Sequence, residues 1–331
     1  MERFALAAAV VLGFALTAAL CSLFVPLRRV LERREQNQQP VQPEQPRPVP
    51  LRAPLWGGLC AAAGTVAAVG VGWLAACVGQ PELLGSEGRL MTRLLTALAG
   101  SLAFGAVGLV EDLARMRSPA ALGLRRDVRL LLEALAAAFV LLLLQAAGCL
   151  PRGLDVPGAG YVLLGSAVPF LWAVLMVALA ECARIAERDE GTVCGAAFVA
   201  MLALMMAEAG LGVPGLAVLP AALAGALVAL LLWAFPPARL GVGCCGSLLA
   251  AGAIGCIPLS LDMTSLTVPL ALPFWAAGGL LAAQLLGAKR TGKPLRCWVK
   301  KHKMSPETVF LCSFALSAVG YVLALALLRW C

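Results

Sequence analysis

Residues 130–150 read LLLEALAAAFVLLLLQAAGCL, and the five residues before them, Arg125-Arg126-Asp127-Val128-Arg129, carry three arginines. A run holding one acid, Glu133, and no base is long enough to cross a bilayer core, which takes about 20 mostly apolar residues. A basic cluster closing off such a run marks the membrane face on which Lys and Arg are retained. The pattern repeats along the chain. Long runs almost free of charge fall near 4–26, 53–79, 94–110, 130–150, 161–180, 192–210, 212–235, 245–261, 266–288 and 308–328. Accordingly the 331 residues are 61% hydrophobic and only 13% charged, about half the roughly 25% of a soluble domain. An ordinary soluble enzyme, a secreted disulfide scaffold, a disordered chain and a collagen-like fibre are all excluded. The reading predicts an all-α polytopic membrane protein with about ten transmembrane helices.

Orientation follows from the basic residues. The stretches near 27–52, 111–129, 181–191, 234–243 and 289–307 hold 6, 5, 2, 1 and 7 Lys or Arg, 21 of the 26 in the chain. Alternate connections share a side, and Lys/Arg-rich short loops stay in the cytoplasm, so both termini are expected outside. The net charge of +8 therefore belongs to one membrane face, where anionic headgroups or a phosphate-rich substrate are natural partners. The first run begins Met1-Glu2-Arg3 without a strong basic segment and meets Arg28 and Arg29 without a small-residue cleavage site, which reads as an uncleaved span. Residues 35–50, rich in Gln and Pro, read as a flexible cytoplasmic loop within a single integral membrane domain, 1–331.

Twelve cysteines suggest metal or disulfides until they are placed. Cys21, Cys60, Cys77, Cys149, Cys182, Cys194, Cys256 and Cys312 lie within or at the ends of spans, Cys297 and Cys331 are isolated, and no Cys-x-x-Cys occurs. Buried thiols of this kind behave as small apolar side chains. Cys244-Cys245, between Gly243 and Gly246 beside a cytoplasmic loop, would need two further ligands to hold a metal. The only histidine, His302, sits between Lys301 and Lys303.

Charged side chains are expensive at membrane depth and tend to mark a pathway or a site. Here they form four clusters, all at predicted cytoplasmic ends of spans. Gly105-Ala106-Val107-Gly108-Leu109-Val110-Glu111-Asp112 is followed by Arg115, Gly123-Leu124 and Arg129. Arg184-Ile185-Ala186-Glu187-Arg188-Asp189-Glu190-Gly191 follows Glu181. Pro237-Ala238-Arg239 leads into Gly243-Cys244-Cys245-Gly246-Ser247-Leu248, and the last cluster holds Lys289-Arg290-Thr291-Gly292-Lys293 and Lys301-His302-Lys303. With Pro54-Leu55-Trp56-Gly57-Gly58, this order resembles the phospho-N-acetylmuramoyl-pentapeptide transferases, within the polyprenyl-phosphate N-acetylhexosamine-phosphate transferase superfamily (glycosyltransferase family 4).

The resemblance implies a Mg²⁺-dependent reaction in which undecaprenyl phosphate takes the phospho-sugar of a UDP-sugar, releasing UMP, in peptidoglycan precursor synthesis. It implies Asp112 and Glu111 as catalytic acids, and Glu187, Glu190 and the position of Cys244 as metal-associated. Arg115, Arg129, Arg184, Arg239, Gly243, Gly246, Ser247 and His302 would hold phosphate or substrate, and a homodimer is a further expectation. Phosphoryl transfer is largely positioning and charge neutralisation, which suits such a cleft. Nucleic acid is not expected, because the basic residues are split among short loops.

Several positions depart from the family pattern. Cys244 stands where the family has a metal-binding Asp; a thiol is mostly neutral at pH 7 and is a soft donor poorly matched to Mg²⁺. Arg184 replaces an Asn, Lys301 and Lys303 fall at two histidines, Glu111 replaces an Asp, and Pro50 and Leu55 replace a Lys and a Thr. Glu187 and Glu190 keep two carboxylates on one helical face, and Arg115, Arg129 and Arg239 keep cationic charge where the family has lysines. Three readings follow: an enzyme of the family with altered metal use or substrate; a non-catalytic paralogue binding polyprenyl phosphate, nucleotide or a cell-wall partner; and a transporter. A carrier usually shows repeat symmetry and polar groups near mid-membrane, where only an unmatched Glu133 and Glu208 lie.

Overall fold

The computed structural model describes residues 2–38, 56–79, 88–117, 123–151, 153–156, 160–163, 165, 167–187, 191–213, 215–235, 239–286 and 305–328. Ten helices of 15 residues or more occur among them. They are α1 (Glu2–Gln38), α2 (Gly57–Gly79), α3 (Gly88–Arg117), α4 (Arg126–Ala146), α5 (Ala167–Ala186), α6 (Thr192–Gly210), α7 (Val218–Ala234), α8 (Gly243–Ser260), α9 (Leu272–Leu286) and α10 (Pro306–Leu328). Seven of these are long and apolar enough to cross a membrane, and α7 is a shorter apolar helix. The chain is a multi-pass, all-α membrane protein.

The element boundaries differ from the hydropathy pattern in a consistent way. Hydropathy runs stop at the first charges, whereas α3 continues through Glu111, Asp112 and Arg115 to Arg117, and α5 continues through Glu181 and Arg184 to Ala186. The charges therefore sit on helical turns and not in loops, where i,i+3 and i,i+4 spacing lets them pair. Likewise α1 extends to Gln38 and takes in the first four residues of the Gln/Pro-rich stretch; residues 39–50 lie outside the described residues. The run predicted at 161–180 begins instead with a small antiparallel hairpin, β1 (Gly153–Val156) and β2 (Gly160–Leu163), in register Gly153 with Leu163. Its signal was Pro157-Gly158-Ala159-Gly160 between two short apolar runs. The span at 266–288 is also broken: a 3-10 turn (Thr264–Leu266) and one helical turn (Thr267–Leu270) precede α9.

Small residues let the helices close up, as is usual where lipid leaves no hydrophobic drive between them. Gly13 on α1 lies against the Ala222 carbonyl of α7, and Gly225 on α7 against the Val10 carbonyl of α1. α8 is the centre of the bundle, with all 18 of its residues buried. α1 passes from Ala9, beside Val218 and Gly72, to Phe24, whose ring stacks on Trp56 at 5.6 Å. The C-terminal ends of α1, α3, α5 and α7 and the N-terminal ends of α2, α4, α6 and α8 thus meet at one end of the bundle. The hairpin and the short turns before α9 lie at the other.

Candidate functional site

The site is built around the first turn of α8. Gly243 adopts φ +72°, a conformation that favours glycine, and turns the chain into the helix. The start of α2 braces it: the Gly57 N–H donates to the Gly241 carbonyl (3.2 Å) and the Gly58 N–H to the Val242 carbonyl (2.9 Å). A helix start leaves several N–H groups without intrahelical acceptors. Asp112 on α3 meets two of them, Oδ1 accepting from the Cys244 N–H at 3.0 Å and Oδ2 from the Cys245 N–H at 2.9 Å. A carboxylate suits this position electrostatically as well, because the helix dipole is positive there. Gly108, one turn earlier on α3, makes the approach possible: a β-carbon there would strike the Cys244 carbonyl. Asp112, expected as a catalytic acid, is held in the role of a helix cap.

Arg115 lies one turn beyond. Its Nη2 donates to Glu111 Oε1 at 2.7 Å, and its Nη1 stands 4.0 Å from Asp112 Oδ1 and 3.9 Å from Glu187 Oε2. Glu187, in the turn that ends α5, also faces the Cys244 thiol, Sγ to Oε2 at 4.0 Å. One guanidinium is therefore placed among three carboxylates.

A second network adjoins the first. Arg129, at the start of α4, donates through Nε to Glu181 Oε1 at 2.7 Å and has Nη1 3.8 Å from Glu111 Oε1. Arg184 donates to the other oxygen of Glu181. Glu133, one turn along α4, is buried with its Oε1 3.9 Å from Arg129 Nε. Glu181 bridges two arginines, and Glu133 extends the network into the bundle. In the sequence Glu181 reads as a charge between spans and Glu133 as an unmatched one within a span. The spacing Glu181–Arg184 and Arg129–Glu133 was the available signal.

The remaining expected residues separate into three groups. Ser247 and Gly246 are on α8 but turned into packing: the Ser247 hydroxyl donates to the Cys244 carbonyl at 3.1 Å, and Gly246 lies against Gly58. Arg239 is exposed, and its N–H donates to the Trp233 carbonyl at 2.8 Å. Glu190 and His302 lie outside the described residues. Cys21, Cys60, Cys77, Cys194, Cys244, Cys245 and Cys256 are buried and free.

The described residues do not fit a resident Mg²⁺. Among them no group of three His, Cys, Asp or Glu could hold a metal ion. Octahedral Mg²⁺ requires several oxygens at about 2.0–2.1 Å from one point, whereas Asp112 is oriented on the α8 amides and Glu111 and Glu187 on Arg115. The thiol of Cys244 supplies sulfur where oxygen would be needed.

Comparison with known proteins agrees with this architecture. The chain is 28% identical over 265 residues to the phospho-N-acetylmuramoyl-pentapeptide-transferase of Mycobacterium tuberculosis (strain ATCC 25618 / H37Rv), covering 72% of each. It is 30% identical over 212 residues to the enzyme of that name from Synechococcus sp. (strain RCC307), covering 63% of this chain and 55% of the relative. With that of Desulforudis audaxviator (strain MP104C) the identity is 32% over 170 residues, covering 48% and 50%. Residues 94–262, which contain both charged networks and the whole of α8, match the sequence profile of glycosyl transferase family 4. The chain belongs to that family.

Proposed function

We propose that the chain is a non-catalytic member of its family that binds the family's substrate class, a polyprenyl phosphate or a UDP-linked sugar, at the cytoplasmic ends of α3 to α8. Through that binding it acts on peptidoglycan precursor synthesis. The Lys/Arg distribution supports a cytoplasmic position for this end of the bundle.

One observation carries the reading: Asp112 accepts the Cys244 and Cys245 N–H groups with both oxygens. A carboxylate held in this way is fixed in orientation and cannot turn toward a substrate without giving up both bonds. Withdrawing it strands two buried donors, each at about 1–3 kcal/mol. Binding remains open to the arginines. Arg115, Arg129 and Arg184 are held by carboxylates that a phosphate can replace, and a guanidinium forks over phosphate as readily as over a carboxylate.

The test is reconstituted full-length protein with undecaprenyl phosphate, UDP-N-acetylmuramoyl-pentapeptide and Mg²⁺ or Mn²⁺. The expected result is no UMP, together with a raised melting temperature in the presence of one of the two substrates, since a ligand that binds only the folded state stabilises it. UMP release by the wild type overturns the reading. A second reading, an active transferase, is favoured by the name its relatives carry and by Glu187, an acid placed beside Arg115 and the Cys244 thiol. The double variant Cys244→Asp, Arg184→Asn separates the two: turnover gained only there supports a degenerate site.

A further inference from the structure

We infer that the phosphate subsite of this chain is the gap between Arg129 and Arg184, and that Glu181 is its internal occupant, a carboxylate that an arriving phosphate displaces. The inference rests on the reading that this end of the bundle takes a phosphate ligand, and adds where that phosphate sits and what competes with it.

Glu181 fills the gap as a ligand would. Its Oε1 accepts from Arg129 Nε at 2.7 Å and its Oε2 from Arg184 Nη2, so guanidiniums from two helices, α4 and α5, grip the two oxygens of one carboxylate. Paired arginines hold a phosphate oxyanion by the same forked contacts. One donor is left over. Arg184 Nε is buried and has no hydrogen-bond partner among the described residues, a costly arrangement for an N–H group. Both oxygens of Glu181 are already used. A phosphate monoester brings three terminal oxygens, one more than a carboxylate, and so supplies the acceptor that Arg184 Nε lacks.

The acids around the gap differ in their freedom to leave. The Glu181 side chain is 23% exposed, whereas those of Glu111 and Glu133, which face Arg129 at 3.8 and 3.9 Å, are 2% and 0% exposed. Glu111 is also bound by Arg115 at 2.7 Å. A rotation of the Glu181 side chain therefore vacates the gap, while Glu111 and Glu133 stay beside Arg129 and limit how tightly an anion is held there. An internal occupant lowers the apparent affinity of a ligand to the fraction of molecules in which the gap is open. Arg184, which stands where the family pattern has Asn, supplies the half of the clamp that is particular to this chain.

The experiment titrates purified full-length protein in detergent, by calorimetry, with two probes: UMP and farnesyl phosphate, a short polyprenyl phosphate. Glu181→Gln keeps the shape of the side chain but loosens its hold on both arginines. It is expected to bind at least one probe about tenfold more tightly than the wild type, UMP if the nucleotide supplies the phosphate and farnesyl phosphate if the lipid does. Glu181→Asp, too short to reach both guanidiniums, is expected to shift the same way and serves if Glu181→Gln does not assemble. Adding Arg184→Lys to Glu181→Gln leaves the net charge of the single variant but removes the fork, and is expected to lose most of the gain. Variants at Glu181 that bind both probes no more tightly than the wild type overturn the inference, as does a gain that survives Arg184→Lys undiminished. Wild-type binding without a gain removes Glu181 as occupant and leaves the binding reading standing. UMP release from the UDP-sugar is a separate measurement that removes the non-catalytic reading alone.

Discussion

Asp112 and Cys244 are 132 residues apart in the chain, and their contact is a backbone one, which a side-chain motif cannot reveal. A sequence that places an acid one helical turn from an arginine at a predicted membrane boundary suggests acid–base or metal chemistry. That an acid could serve as a cap for a distant helix is legible only once α3 and α8 cross. A substitution separates the two roles. Asp112→Ala leaves two buried N–H groups without acceptors and is expected to destabilise the protein by about 3 kcal/mol, while Asp112→Asn, which keeps one good acceptor, is expected to lose roughly half as much. Thermal unfolding in detergent measures the difference; a melting midpoint unchanged in Asp112→Ala contradicts the capping role. The cysteine in the first turn of α8 was legible as a departure, because its neighbours Gly243, Gly246 and Ser247 match a family pattern. The arginine seated among the acids was legible only in part, since Glu111 and Asp112 lie within one turn of it but its third partner, Glu187, comes from a distant helix end.

At the scale of elements, the helices were legible from hydropathy and their ends were not. Windows of apolar residues stop where the lipid stops, while hydrogen bonding and ion pairing carry α3 and α5 on for another turn or two. The same windows missed the hairpin, because its strands of four residues are too short for period-2 alternation to stand out against an apolar background. Close packing of α2 on α8 was equally hidden. Gly58 would, with a β-carbon, stand 2.7 Å from the Gly246 Cα, whereas Gly70 on the same helix has nothing within 4 Å. Gly58→Ala is expected to lower stability by about 2 kcal/mol or more through overpacking. Gly70→Ala is expected to be neutral or to gain roughly 0.5 kcal/mol from helix propensity. Equal melting midpoints for the two variants would contradict the α2–α8 contact.

On the scale of the whole molecule, composition alone established a membrane bundle, and the uneven distribution of Lys and Arg predicts which way it faces. Green fluorescent protein joined after Arg117 is expected to fluoresce, and alkaline phosphatase joined after Leu163 to be active; the reverse pattern would invert the orientation. The arrangement of helices within the bundle was beyond the reach of hydropathy, which ranks α8 with its neighbours although it differs from them in kind. Its 18 residues are all buried, while α1 and α10 keep broad faces exposed. A helix that touches no acyl chain is indifferent to which acyl chains surround the protein. Exchanging lipid for detergent, or a short-tailed lipid for a long one, therefore acts on the rim of the bundle and leaves the turn that holds Asp112 screened from the change.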